Sequence, residues 1–173
     1  MGARVRRVLV LLLLLLACNR RGPTAVANPQ ALLQSVISNA AGDAEVSALA
    51  ARRARLLETR ELAVEIQRTA SAAHDEFARV AQRRNVAVPK ALDEKKIALR
   101  DNLMILPGQV LDRAYALAMS QDMKTLLHNL DAIGSDSDLR QVAGKYRSAI
   151  EDHQRAADRL LSRLGGSPWP AAP

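Results

Sequence analysis

Cysteine, aromatic residues and proline are all scarce in this chain, and each scarcity removes a class of answers. Cys18 is the only cysteine among 173 residues, which excludes a disulfide scaffold. The aromatic residues are Phe77, Tyr115, Tyr146 and Trp169, whereas 31 residues are alanine. That balance suits helices, where Ala and Leu cost least, and suits sheets poorly, because strands favour aromatic and β-branched side chains. Proline is absent from 30 to 88 and again from 108 to 167, which marks two blocks of long-helix territory. No glycine-rich phosphate loop occurs, and Ser and His are too scattered to suggest a nucleophile and its base. The length fits one domain.

The N-terminus reads as an address. Arg4, Arg6 and Arg7 precede an unbroken apolar run from Val8 to Ala17. As a helix this run spans about 15 Å, half the hydrocarbon core, so residues 1–17 read as a secretory signal rather than a membrane span. Cys18 closes the run in Leu15-Leu16-Ala17-Cys18, which resembles a bacterial lipobox, and the sulfur is expected to carry a lipid that tethers the chain to a membrane. Asn19 after the cysteine favours the outer membrane, facing the periplasm. The alternative is plain secretion, with cleavage after Ala25-Val26-Ala27. The net charge of +7 includes the three leader arginines. Arg52, Arg53, Arg55 and Arg60 are interleaved with Glu58 and Glu61 and read as a solvated helix face, so no nucleic-acid partner is expected.

After a linker over 18–29, the chain is expected to form a helical domain over 30–165, followed by a disordered Pro- and Ala-rich tail over 166–173. Apolar residues recur at steps of three and four, which keeps them on one helix face. The first stripe is Leu33, Val36, Ala40, Asp43, Ser47, Ala50, Ala54 and Leu57; the second is Ala63, Ile66, Ala70, Ala73, Phe77 and Val80. The third is Ala116, Met119, Met123, Leu126, Leu130 and Ile133; the fourth is Leu139, Val142, Tyr146, Ala149, His153, Ala156 and Leu160. Asp136 or Ser137 is the expected N-cap of the last helix, and Gly165-Gly166 its stop. Residues 86–108 hold a short helix at about 92–105 and can carry the chain back along the bundle. The expected class is therefore all-α, a ferritin-like four-helix bundle whose crossover contains a short extra helix. Residues 55–59 have neither Gly nor Pro. Thr59 is a candidate cap there, and one continuous helix from 30 to 85, giving a coiled-coil hairpin, is the alternative.

The stretches Ala81 to Pro89, Gly108-Gln109-Val110-Leu111-Asp112-Arg113-Ala114-Tyr115 and Asp138-Leu139 to His153 together resemble a family of secreted bacterial helical domains known as domain of unknown function 4142. The resemblance covers 43–160 and implies a ferritin-like fold. It also implies polar seam positions: an acidic residue on the first helix, Asp-His on the second and again on the third long helix, and a late His. Asp43 fits the first (Glu45 if the register slips), Asp122 fits an Asp, and His153 fits the late His. Thr69-Ala70 stands where Asp-His is expected, and Met123 takes the other His position.

A di-iron site in such a bundle needs Glu-x-x-His on two helices. Three residues before His74, His128 and His153 stand Ser71, Thr125 and Ile150, so no metal and no other cofactor is expected. Met119 and Met123 share a face and could offer thioethers to Cu(I), but in a Leu-rich seam they read as core. His74 flanks its seam and His128 lies off it. Asp43 and His153 are the informative pair, since both fall on otherwise apolar seams. They are expected to hydrogen-bond to one another or to form a remnant ligand site. The alternatives are Asp43 as an N-cap and His153 as a satisfied core histidine bonded to Tyr146 or to backbone. The overall expectation is a membrane-anchored, non-enzymatic structural or interaction module; the competing class is a bundle binding a metal or small ligand through Asp43, His74, Met123 and His153.

Overall fold

The computed structural model describes residues 28–165, and among them it holds five helices and no strand. The leader over 1–17, Cys18, the linker up to residue 27 and the tail from 166 lie outside the described residues. Helix α1 is Pro29–Arg53, α2 Leu57–Arg83, α3 Glu94–Ile105, α4 Gly108–Asp131 and α5 Ser137–Arg163. Local chemistry sets most of their ends. The Asn28 side chain accepts the Gln30 N–H at 3.0 Å, with Pro29 at the first helical position, where its missing N–H costs nothing. Asp93 caps α3 by accepting from Lys95 N, and Asp136 caps α5 by accepting from Leu139 N at 3.2 Å. Beyond α5, Gly165 takes φ +92°, a left-handed turn that only glycine adopts without strain.

The break between α1 and α2 has a distant cause. Asp112, at the start of α4, accepts the backbone N–H of Arg55 at 3.1 Å and of Leu56 at 3.4 Å. These donors would otherwise be left unpaired where the helix opens. The continuous helix from 30 to 85 is thereby excluded. Thr59 is not the cap: Leu56 holds that position without a side-chain bond, and the Thr59 hydroxyl is buried with no partner.

The four long helices pack in a ring, α1 on α2, α2 on α5, α5 on α4 and α4 on α1, while α3 lies over α1 and α4. Contacts between their ends give the directions. Arg84 at the end of α2 forks onto Asp136 at the start of α5, at 2.5 and 2.7 Å, and Arg163 at the end of α5 reaches Glu58 at the start of α2 at 2.6 Å. Gln34 near the start of α1 donates to Ala87 O just past α2. Since α4 starts where α1 ends, the segment from 84 to 107 travels the length of the bundle, and α3 is its carrier. The expected long crossover is thus observed.

Among the described residues the buried core runs from Leu32 to Leu160. The first three stripes are buried as read, except Leu57, which is 61% exposed because the chain turns before it. On α5 the buried face is Leu139, Ala143, Tyr146, Ile150, His153, Ala157 and Leu160. It shares every second position with the expected stripe, but Val142, Ala149 and Ala156 are only half-buried. Flanked by both α2 and α4, α5 is turned toward the side that carries the bulkier Ile150.

Candidate functional site

Polar side chains form a column along the α1–α4 seam. At one end Asp112 holds the α1–α2 joint. Further in, the Ser47 hydroxyl lies 2.9 Å from the Tyr115 hydroxyl, with the Met119 sulfur 3.9 Å from Ser47. Burial pushes the Tyr115 phenol far above its ordinary range, so it stays neutral. The sequence Leu111-Asp112-Arg113-Ala114-Tyr115 is therefore a fastener: Asp112 and Tyr115 face α1, and Arg113 donates to Gly165 O at the end of α5 at 3.1 Å.

Farther along lies the most heavily charged buried site. Lys96 of α3 is 5% exposed, and its Nζ donates to Asp43 Oδ1 of α1 and, at 2.7 Å, to Asp122 Oδ2 of α4. A glycine makes this approach possible. A Cβ at Gly42 would stand 2.4 Å from Lys96 Cγ, so the lysine stem runs through the space that a side chain would fill. Nearby, Arg100 of α3 donates to Glu45 Oε1 of α1 at 2.8 Å, a second tie between the crossover and the bundle.

Burial pushes the Asp43 carboxyl up to about 6; the Lys96 ammonium opposes the rise and the neighbouring Asp122 charge adds to it. For Lys96 burial works against the charged form, but the two carboxylates outweigh it and hold the amine above its ordinary value. At neutral pH the site is thus a buried cation between two carboxylates. Asp122 keeps contact with water, its side chain being 31% exposed.

The expected bond between Asp43 and His153 is not formed. Asp43 spends its hydrogen bonding on Lys96, a closer and fully charged donor. The alternative partner of His153 is also taken, since the Tyr146 hydroxyl donates to Glu76 at 2.9 Å. Nor is Asp43 an N-cap: it lies inside α1, which runs unbroken through Gly42. Asp43 and His153 do line one small internal cavity, of about 20 Å³, with Ala70 and Met123 among its walls. The space is enough for one water molecule, and apart from Asp43, Thr69 and His153 its lining is apolar. His153, 8% exposed, also lines an outer groove between α2 and α5 and so stands between groove and cavity. Burial lowers its pKa below the ordinary histidine value; Glu65 and Asp152 pull the other way, and Arg68 adds to the lowering.

The remaining candidates disperse. Glu45 is exposed and ties down Arg100; His74 sits at the boundary with Nδ1 3.1 Å from Asp75; Met119 and Met123 are buried in the core. Among the described residues no group of three or more His, Cys, Asp or Glu converges in a way that could hold a metal ion. The crossover lysine was not among the sequence candidates. The signal available for it was the Gly42-Asp43 pair inside an otherwise regular helix, a small residue beside a buried acid awaiting a cation. No helix of the described residues is long and apolar enough to cross a membrane.

The chain belongs to the family described as Domain of unknown function (DUF4142), which matches it over residues 19–160. No curated protein and no solved structure matches it.

Proposed function

Taking the chain as a member of that family, we propose that it is a non-enzymatic structural or interaction module of the bacterial envelope, ferritin-like in topology and tethered by a lipid on Cys18. One observation carries the non-enzymatic part: the Lys96 ammonium fills the space between Asp43 and Asp122. Two carboxylates on facing helices of a bundle are the start of a cation site. Here the chain supplies the cation itself, and Ala70 and Met123 stand at the positions where the family resemblance implies histidines. The polar centre then serves to lock the crossover onto α1 and α4. The ferritin-like assignment is supported by the single long connection between the second and third long helices.

The anchor reading rests on Cys18 closing the apolar run in Leu15-Leu16-Ala17-Cys18. An outer-membrane position facing the periplasm is favoured by Asn19, with periplasmic secretion as the alternative. Two measurements test the function together. Elemental analysis of the purified protein is expected to find no stoichiometric Fe, Cu or Zn; one equivalent of any of them would overturn the structural reading. Metabolic labelling with a palmitate analogue is expected to mark the wild type and not Cys18→Ser, and an unmarked wild type would overturn the anchor.

A further inference from the structure

Of the six exposed large apolar side chains among the described residues, four lie at one end of this bundle, while Val64 and Ile97 lie further along α2 and α3. Leu57 (61% exposed), Met104 (50%), Ile105 (78%) and Val110 (54%) lie at the start of α2, the end of α3 and the start of α4. The joint between α1 and α2 brings these termini together: Asp112 of α4 accepts from Arg55 and Leu56, and a Cβ at Gly108 would stand 3.7 Å from Arg55 Cδ. The same end carries Arg52, Arg53, Arg55 and Arg60. All four are exposed, and among the described residues none is in an ion pair. Of the nearby acids, Asp112 is buried and Glu58 is taken by Arg163, which leaves Glu61. At the opposite end Arg84 pairs with Asp136 and Arg147 with Asp131, and although Arg83 and Lys90 are exposed there without an ion pair among the described residues, none of the exposed large apolar residues lies beside them.

We propose that this end of the bundle is a docking face for an anionic lipid bilayer. Exposed apolar side chains ringed by cations are what an interfacial membrane contact requires: the apolar tips enter the acyl boundary while the arginines meet phosphate headgroups. None of the four apolar residues lines a cavity of the described residues, so the face offers protruding tips rather than a groove for a partner helix. A headgroup layer deforms around such tips, whereas a protein partner would need a matching hollow. Asn28, where the described chain starts, lies at the other end of α1. The proposal rests on the envelope reading for its setting alone.

The test uses the chain from position 18 onward with Cys18→Ser, which retains every described core residue and removes any lipid, so its outcome is independent of the anchor. Circular dichroism checks that each variant keeps its helices. Co-sedimentation is measured with vesicles of phosphatidylcholine alone and of equal parts phosphatidylcholine and phosphatidylglycerol. Binding is expected to the anionic vesicles only and to weaken as salt is raised. Neutralising two cations, Arg52→Gln with Arg53→Gln, is expected to lower the partition coefficient about 30-fold. Ile105→Asp is expected to lower it at least about tenfold. Arg83→Gln with Lys90→Gln, exposed cations near the other end, should leave it unchanged. No binding to anionic vesicles would overturn the proposal, as would equal losses from the two pairs of charge variants. Binding that responds to salt but not to Ile105→Asp would also overturn it, and would point to an acidic macromolecule instead.

Discussion

Lys96 reaches Asp43 by running across Gly42, the residue just before its partner. The lysine stem occupies the volume of the absent Cβ, and the ammonium then lies against the adjacent carboxylate. A glycine in mid-helix costs about 1 kcal/mol relative to alanine. Here that cost opens a passage from the crossover into the bundle, so local helix propensity gives way to a tertiary ion pair.

Gly42→Ala is accordingly expected to destabilise the fold, although alanine is the better helix former. The new Cβ forces the Lys96 stem aside, at a cost of about 1–3 kcal/mol for overpacking. In Lys96→Ala, where the stem is gone, the same substitution should become neutral or stabilising. Urea unfolding of the four proteins measures this reversal of sign.

The Asp43–Lys96 pair should be strongly non-additive. Lys96→Met alone strands a buried carboxylate and is expected to cost about 3 kcal/mol or more, whereas Asp43→Leu with Lys96→Met together should come close to neutral. The same cycle run with Asp43 and His153, which share a cavity wall but no hydrogen bond, should give much weaker coupling. Chemical denaturation of each single and double variant reads both couplings.

Two groups set opposing pH dependences. The folded-state pKa of Asp43, about 6, lies above its unfolded value of 3.8, so the folded state holds the proton more tightly. Through this group stability rises as pH falls from above 6 toward 4. His153 is lowered in the fold, so its contribution is full above 6.5 and is lost as pH falls through the folded value. Carbon-13 titration should place the Asp43 midpoint near 6. In Asp43→Asn the acid-side gain should vanish, leaving a stability that only falls with acidification below 6.5.

Asp112→Ala should loosen the α1–α2 joint. The Arg55 and Leu56 N–H groups lose their acceptor, at about 1–3 kcal/mol, and amide exchange at these two positions should accelerate more than at Ala50. Equal acceleration along both helices would point to global destabilisation instead.

What the sequence made legible was local. The periodic stripes located the four long helices and nearly all the core, because side-chain spacing follows directly from helix geometry. Asp136, expected as a cap, satisfies a group three residues away; the caps at Asn28 and Asp93 are just as local but were not among the expected ones. The α1–α2 break was not legible at residues 55–59, because the group that stabilises it, Asp112, comes from another helix. The polar centre failed for the same reason. Asp43 was recognisable as a buried acid, but its partner sits on a short crossover with weak periodicity, and only the folded chain brings Lys96 back to it. His153, on an otherwise apolar stripe, attracted a pairing that the closer charge of Lys96 had already taken.

Lys96 acts as the resident cation of this bundle. Thermal unfolding of the chelator-stripped protein, with and without Mn(II), Fe(II), Zn(II), Ca(II) and Cu(II), tests this role most directly when wild type and Lys96→Ala are run side by side. The wild type is expected to keep its midpoint with every metal. For Lys96→Ala, whose Asp43 and Asp122 carboxylates lack their ammonium, the midpoint is expected to be raised by an oxygen-seeking cation such as Mn(II) or Ca(II), through mass action. A wild type stabilised by any of these metals, with the effect lost in Lys96→Ala, would contradict this role.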